Sequence, residues 1–157
     1  HLVITSMHTN SALESIVRLR DLGLEPYLIA GAMSGVVAQR LVRRNCPECS
    51  EPFEVGPIVR RDLVRSGLLN EDEVSLMRQG RGCDACRGSG FQGRIGIYEV
   101  MPVAESTRTL ISQEASTDEI RTDAMAHGMV TLSQYAGFLL RGGQTTPAEV
   151  RRLLGLR

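Results

Sequence analysis

The residues with the clearest capacity for chemistry are four cysteines, arranged as the Cys-x-x-Cys pairs Cys46–Cys49 and Cys83–Cys86. A Cys-x-x-Cys turn can aim two thiolates at one metal ion. Two such turns supply the tetrahedral four-sulfur set that zinc prefers in structural sites. Because four thiolates leave no coordination position open for water, this set would hold a loop-rich lobe together and perform no catalysis.

Other assignments of the cysteines stay open at this point. Reduced or disulfide-linked cysteines without metal, and ligation of an iron–sulfur cluster, are both compatible with the spacing. The run Cys83-Asp-Ala-Cys86-Arg-Gly-Ser-Gly also matches the Cys-x-x-Cys-x-Gly-x-Gly unit of the J-domain co-chaperones. Those proteins repeat the unit four times, and the run that starts at Cys46 does not repeat it. The co-chaperone assignment is therefore rejected.

Among the three histidines, His8 occupies a position where a bound ligand is expected. It follows residues 2–7, a short, apolar and β-branched run typical of a buried strand, and it precedes the polar pair Thr9 and Asn10 at the start of a helix. Ligands of open α/β sheets bind at such strand ends. His127 precedes Gly128 at an expected helix end, where a cation complements the helix dipole.

The pattern around these residues predicts an α/β protein of three segments. Residues 1–45 combine the strand 2–7 with helices at 11–22, opened by a capping box at Ser11, and at 26–42, opened by Pro26. Residues 46–92 hold the cysteines and two short helices, 58–66 and 71–79. Residues 93–157 begin with a strand at 94–101, followed by helices at 104–113, 118–127, 132–141 and 147–154.

Composition excludes several classes of protein. The chain has 157 residues and 18 acidic residues against 18 basic ones, and all of the basic residues are arginine. Zero net charge argues against a general electrostatic grip on nucleic acid. Without lysine the chain contains no Walker A loop, which needs one to reach the β- and γ-phosphates. No apolar run approaches the ~18 residues of a membrane span, and the first residues show neither the basic region nor the small-residue cleavage site of a signal peptide.

Six segments, in order along the chain, resemble motifs of the secretion-superfamily ATPases, the hexameric motors of type II secretion and type IV pilus assembly. Residues 1–10 resemble their "His box", and 22–29 resemble "GVEPFLI". Residues 38–46 are similar to "AQRLVR..C", 93–99 to "GRxGIYE", 128–132 to "GMxTL" and 143–150 to "GxTTxEEV". The paired cysteines point to the assembly branch of the family, because retraction motors generally lack that insertion.

The resemblance implies a fold and a setting. The chain would be the C-terminal remnant of a RecA-like P-loop NTPase core, with a small zinc lobe and a helical C-terminal subdomain. The complete protein would be a cytoplasmic homo-hexamer docked on an inner-membrane platform protein, and it would hydrolyse ATP with Mg²⁺. By the same resemblance, the Walker A loop, the acidic "Asp box" and Walker B would lie before residue 1. The chain begins without Met in a strand-like run, which is expected of a fragment.

The resemblance also implies roles for particular residues. His8 would lie near the γ-phosphate of ATP and sense its loss, and His1 matches the first histidine of the box. Thr9 and Asn10 would hold the turn beside the nucleotide, although helix capping explains them equally well. Arg40 would touch nucleotide or a neighbouring subunit, or, with Arg43 and Arg44, complement the end of the 26–42 helix.

Two alternatives belong to other classes of protein. The first is a stand-alone, zinc-stabilised module for protein interaction, without ATPase function. The second is a zinc-ribbon nucleic-acid binder, which zero net charge and only three Phe and three Tyr disfavour, because they supply neither a basic stripe nor a stacking platform. Without the phosphate-binding loop, the chain by itself is expected to hydrolyse no ATP.

Overall fold

The computed structural model describes residues 1–155, except for the side chains of residues 75 and 76. Residues 156 and 157, the end of the expected C-terminal segment, lie outside the described part. The described chain contains both helices and strands, which confirms the α/β class. The helices are α1 (Ala12–Asp21), α2 (Pro26–Ala32), α3 (Pro57–Arg65), α4 (Glu105–Ser112), α5 (Thr117–Ala126), α6 (Leu132–Arg141) and α7 (Pro147–Leu154). The strands are β1 (Gly35–Asn45), β2 (Ser50–Pro52), β3 (Arg78–Gly80) and β4 (Phe91–Pro102).

The strands form two-stranded sheets. β1 pairs with β4, and β2 pairs with β3. The second sheet is antiparallel, with Ser50 opposite Gly80 and Pro52 opposite Arg78. Strand β4 confirms and lengthens the strand expected at 94–101.

Residues 1–38 and 98–131 form one compact unit. It contains α1, α2, α4 and α5, with α2 packed on α4 and α4 on α5. Its apolar core is aliphatic, as expected for a chain poor in aromatic residues. The fully or nearly fully buried members are Ala12, Leu13, Ile16, Ile29, Ala30, Met101, Val103, Ile111, Ile120, Ala124 and Met129.

Residues 39–97, with those from 132 onwards, form a second compact unit that contains all four cysteines. Its core is separate from the small cysteine cluster. The buried members are Val42, Leu63, Leu68, Leu69, Val74, Met77, Ile97, Ala136, Leu139, Leu140 and Val150. These contact units divide the chain at other places than 45/46 and 92/93, and the three-segment domain organisation stays a prediction.

Helix ends follow the capping residues closely. The Ser11 hydroxyl accepts a hydrogen bond from the amide of Glu14 at 3.2 Å, which starts α1. In α7, Thr146 is the N-cap, Pro147 is the first helical residue and the amide of Glu149 donates to the Thr146 hydroxyl. These side chains satisfy amides that have no partner inside the helix. The expected helix starts at both places are confirmed.

The helix expected over 26–42 is wrong beyond residue 32. Helix α2 ends at Ala32, and the chain then runs as strand β1. The glycines at 31 and 35 weaken a helix, and Val36 and Val37 are β-branched residues that favour a strand. Burial along this segment alternates as in a strand and not as in a helix, because Ala38 and Val42 are buried while Val37 and Leu41 are exposed.

The expected strand at 2–7 is absent from the structure. Residues 1–9 adopt neither helix nor strand, and Leu2, Val3 and Ile4 expose 84%, 79% and 89% of their surface. A strand needs a neighbour to pair its backbone N–H and C=O groups. No strand within the described residues pairs with this run, so its apolar composition alone does not make it a strand.

The helix expected at 71–79 is only partly formed. A 3₁₀ helix covers Asp72–Leu76, and the chain then becomes strand β3. This helix begins one residue later than expected, with Glu71 and not Asn70 as its N-cap, although the Glu73 carboxylate does accept from the amide of Asn70 at 2.8 Å. The end of the expected helix instead forms strand β3, because these residues pair with β2, which is distant in the sequence.

Candidate metal centre and the segment around His8

The cysteine pairs are brought together by short elements of the second unit. Cys46 directly follows β1, Cys49 directly precedes β2, and Cys83 is the N-cap of a 3₁₀ turn that ends at Cys86. The β2–β3 pairing carries the chain from the first pair to the second. Two further backbone bonds join the halves: the amide of Cys46 donates to Gly90 O at 2.9 Å, and that of Arg81 donates to Cys49 O at 3.1 Å.

The four sulfur atoms lie in the geometry of a metal site. All four Sγ atoms lie within 4.8 Å of one another. The Sγ–Sγ distances are 3.9 Å for Cys46–Cys83, 3.9 Å for Cys49–Cys86 and 3.7 Å for Cys83–Cys86. A tetrahedron with metal–sulfur bonds of ~2.3 Å has edges of about 3.8 Å. Disulfides need ~2.05 Å, so this donor set fits one tetrahedral ion and not a pair of disulfides.

The surroundings of the sulfurs already favour a thiolate at one position. The amides of Cys83 and Gly90 each donate to the Sγ of Cys86 at 3.2 Å, and they lower the pKa of that thiol to about 6. Burial raises the pKa of Cys49 to about 12, against hydrogen bonding from the Gly82 amide. A bound cation would favour the thiolate at both positions, since metal ligation requires deprotonated sulfur.

Two glycine backbones touch beside the cysteines. A Cβ added to Gly80 would overlap the carbonyl group of Gly90, and a Cβ added to Gly90 would overlap that of Gly80. Gly90 also has a φ of +74°, a conformation that glycine adopts without strain. We call this contact the glycine pair. It allows the β2–β3 ribbon to lie directly against the loop that carries Cys86.

The buried side-chain amide of Asn45 links strand β3 to the turn before α7. The Nδ2 atom of Asn45 donates to Arg78 O and Gly143 O, both at 2.9 Å. The amide of Asn45 donates to Gln144 O at 2.9 Å, and the Thr145 hydroxyl donates to Arg43 O at 2.8 Å. The residue directly before Cys46 is therefore fixed by the 143–145 turn. No local pattern in the sequence marks Asn45 for this role.

Arg43 and Glu149 form a second link within this unit. The carboxylate of Glu149 is 2% exposed and accepts from the Arg43 amide at 3.0 Å and from the Arg43 guanidinium at 2.8 Å. Burial raises the pKa of Glu149, but the hydrogen bonds from Arg43 outweigh it and hold the pKa below its ordinary value. The guanidinium also lies 4.0 Å from the ring centroid of Phe91. The cap position of Glu149 was visible in the sequence, whereas its distant partner was not.

Replacing Glu149 with glutamine is expected to lower the free energy of unfolding at pH 7 by about 1.5–3 kcal/mol, the range for hydrogen bonds to charged groups. Because the pKa of Glu149 is lowered by folding, its stabilisation is complete above the ordinary value of 4.5. It fades as pH falls through the folded-state pKa. The difference between parent and variant should therefore shrink toward pH 3.

Urea unfolding of both proteins between pH 7 and pH 3 measures this difference. The exposed Glu54 provides the control, since Glu54→Gln should leave stability within ~0.5 kcal/mol of the parent. A deficit of the same size at every pH would show that the charge of Glu149 does not stabilise the fold.

The expected helix-end role of Arg40, Arg43 and Arg44 is wrong. All three lie on strand β1, because the helix ends at Ala32. Arg43 pairs with Glu149 instead. Arg40 is half-buried on β1, and its expected proximity to nucleotide stays a prediction.

The histidine segment belongs to the first unit. His1 and His8 are exposed. The Thr9 hydroxyl lies 2.9 Å from the Ser15 hydroxyl, and the amide of Asn10 donates to the Glu14 carboxylate at 2.7 Å. Thr9 and Asn10 therefore contact the first turn of α1, but the N-cap of that helix is Ser11, and the expected capping role of Thr9 and Asn10 stays a prediction. Their proximity to nucleotide, like the phosphate-sensing role of His8, stays a prediction.

Sequence comparison supplies relatives for almost the whole chain. The family model described as "Type II/IV secretion system protein" matches residues 1–152. The type II secretion system protein E of Pseudomonas aeruginosa is 39% identical over 98% of the chain. The type IV pilus assembly ATPases TfpB of Acinetobacter baylyi and PilB of Thermus thermophilus are 37% and 39% identical over 99% and 96% of it. The chain spans 30%, 26% and 17% of the lengths of these three relatives.

Proposed function

The chain belongs to the type II/IV secretion system protein family, and we propose that it is the C-terminal part of a motor ATPase that powers type II secretion or type IV pilus assembly. The observation that carries the proposal is the similarity to such ATPases over 96–99% of the chain. The four converging cysteines add support, because paired cysteines are the feature that points to the assembly branch of the family.

For the cysteines we propose a structural zinc ion held by Cys46, Cys49, Cys83 and Cys86. Three Sγ–Sγ distances of 3.7–3.9 Å, with all four Sγ atoms within 4.8 Å of one another, support a tetrahedral ion with no open position. The ion would supply folding energy to a lobe whose sulfur cluster is separate from the aliphatic core of its unit. It would take no part in hydrolysis.

For the histidine segment we propose contact with nucleotide in the complete protein. There the Walker A loop, the Asp box and Walker B would precede residue 1 in a RecA-like P-loop NTPase core. Mg²⁺ and the Walker motifs would neutralise and orient the phosphates of ATP. The exposed imidazole of His8 could hydrogen-bond a phosphate oxygen or the attacking water. The loss of this hydrogen bond on hydrolysis could then be transmitted to α1.

The assembly and location of the complete protein are part of the same proposal. The complete protein would assemble as a hexamer on the cytoplasmic side of the inner membrane and dock on a platform protein. The described helices include none long and apolar enough to cross a membrane.

The isolated 157-residue chain is expected to hydrolyse no ATP, whereas the complete protein is expected to be an active ATPase. The reason is that all 18 basic residues of the chain are arginine, so it lacks the phosphate-binding lysine. Release of phosphate from ATP and Mg²⁺ measures both proteins side by side. Steady hydrolysis by the purified chain would contradict the expectation that hydrolysis needs the phosphate-binding motifs of the complete protein.

An inactive complete protein would refute the motor assignment. Its matched control is the same protein with the Walker A lysine replaced by alanine, which must abolish any activity that is observed. In the absence of hydrolysis, the zinc-stabilised interaction module becomes the better description, and the intact cysteine lobe would then be its functional part.

A further inference from the structure

A buried carboxylate holds the start of α1. Glu99 lies on β4 and is 3% exposed. Its Oε1 accepts a hydrogen bond of 2.7 Å from the amide of Ala12, the first residue of α1. Ala12 is itself fully buried. The first amides of a helix have no partner within the helix and carry partial positive charge. Glu99 therefore satisfies one of these amides and compensates its own burial.

The residues that precede α1 are fixed by contacts with the first turn of that helix. The hydroxyls of Thr9 and Ser15 lie 2.9 Å apart, and Glu14 accepts from the amide of Asn10 at 2.7 Å. These contacts join residues six and four positions apart. They attach the segment that follows His8 to the first turn of the helix, and they move with it.

The contact of Glu99 with Ala12 differs in its reach, since it joins residues 87 positions apart. It fixes the start of α1 against a strand of the same unit. The contacts of Asn10 with Glu14 and of Thr9 with Ser15 then carry this position to Thr9, which adjoins His8. A displacement of the helix start would therefore shift the backbone that carries His8.

We propose that Glu99 is a positioning residue for ATP hydrolysis: it holds the N-terminus of α1 and thereby sets the place of His8. This inference rests on the proposed function, because it takes the phosphate-facing role of His8 as its premise. Glu99 is buried and bonded to the Ala12 amide, so it acts through the helix start and not by touching phosphate. Misplacement of a reacting group by ~1 Å can slow a reaction about 100-fold.

Substitutions separate this role from a general loss of structure. Glu99→Ala leaves the Ala12 amide without its acceptor, whereas Glu99→Gln keeps a carbonyl oxygen at the same reach. Glu105→Ala is the matched control, because the Glu105 side chain lies in the same unit and is 94% exposed. Each variant is made in the complete protein, once in the parent and once in a His8→Ala background.

Steady-state ATP hydrolysis gives kcat and KM for the eight proteins. Glu99→Ala is expected to lower kcat ~10-fold or more in the parent background, with KM changed less than about 2-fold. Glu99→Gln should restore most of kcat. In the His8→Ala background, Glu99→Ala should cause no further loss, because two residues that act through one group are not additive.

Two outcomes would overturn the inference. An unchanged kcat in Glu99→Ala would show that the contact does not matter for hydrolysis. An equal loss in both backgrounds would show that Glu99 acts independently of His8. Failure of the proposed function looks different, since the complete parent would then be inactive or His8→Ala would leave its kcat unchanged.

Amide hydrogen exchange in the same proteins reports on the contact without using activity. Exchange at residues 10–12 should rise in Glu99→Ala and stay near the parent level in Glu99→Gln and Glu105→Ala. Unaltered exchange in Glu99→Ala would refute the anchoring role itself, whether or not the protein hydrolyses ATP.

Discussion

Replacing Cys46 with serine is expected to abolish tight metal binding and to cost the protein several kcal/mol of unfolding free energy. Cys46 is fully buried, and its Sγ lies 3.9 Å from that of Cys83. Serine supplies a poor ligand for zinc at this place, and the three remaining thiolates cannot close a tetrahedron. Because metal binding and folding are coupled in such lobes, loss of the ion appears directly as loss of stability.

Metal analysis and thermal unfolding test this expectation together. The parent should carry about one zinc ion per chain and should melt at a lower temperature after treatment with a strong chelator. Cys46→Ser should contain little zinc and should respond weakly to the chelator. Asp84→Asn is the matched control: this exposed residue lies between Cys83 and Cys86, and it should leave the metal content unchanged.

The same measurements separate the alternatives for the cysteines. Iron and a visible absorption band in the purified protein would favour an iron–sulfur cluster over zinc. A parent without metal, and with a melting temperature that the chelator does not change, would refute the metal site. The loss of zinc in Asp84→Asn would show that a carboxylate takes part in coordination.

Replacing His8 with alanine in the complete protein is expected to lower kcat for ATP hydrolysis ~10–100-fold. The size follows from the loss of one hydrogen bond to a charged phosphate group, about 1.5–3 kcal/mol. The change should leave folding intact, because His8 is exposed and precedes the capped start of α1. It should also leave the hexamer intact, which size-exclusion chromatography with light scattering can verify.

The comparison with His127→Ala makes the test specific. His127 is also exposed, and it ends α5, where its imidazole lies 2.8 Å from Asp123 O. Its replacement is expected to alter stability slightly and turnover very little. If His8→Ala hydrolyses ATP at the rate of the parent, the phosphate-sensing role is wrong. A loss in both variants would point to a general effect of removing histidine from the first unit.

The sequence predicts those parts of the structure that local chemistry determines. Helix α7 begins where Thr146 and Pro147 indicate, because a cap and an N1 proline act within one turn. The cysteines converge as their spacing predicts. The helix start and each Cys-x-x-Cys turn depend on a few adjacent residues, whereas the approach of the two turns depends on the pairing of β2 with β3.

Features that depend on distant partners could not be predicted in this way. The apolar residues around Val36 and Val37 fit a helical period and an alternating one, and pairing of β1 with β4 decides between them. Strand β3 exists because β2 pairs with it. The anchors at Glu149 and Glu99 join residues 106 and 87 positions apart, and no local pattern marks either.

The glycine pair beside the cysteines limits how this protein can drift in evolution. Every base change that alters a glycine codon without ending translation adds a Cβ, and at Gly80 or Gly90 that atom meets backbone. A smaller neighbour cannot relieve such an overlap, because the obstructing carbonyl belongs to every amino acid. Neither position therefore has a neutral route to another residue, nor can one mutation compensate the other. Substitutions should accumulate in this lobe at exposed sites such as Glu51 and Arg81, while both glycines persist.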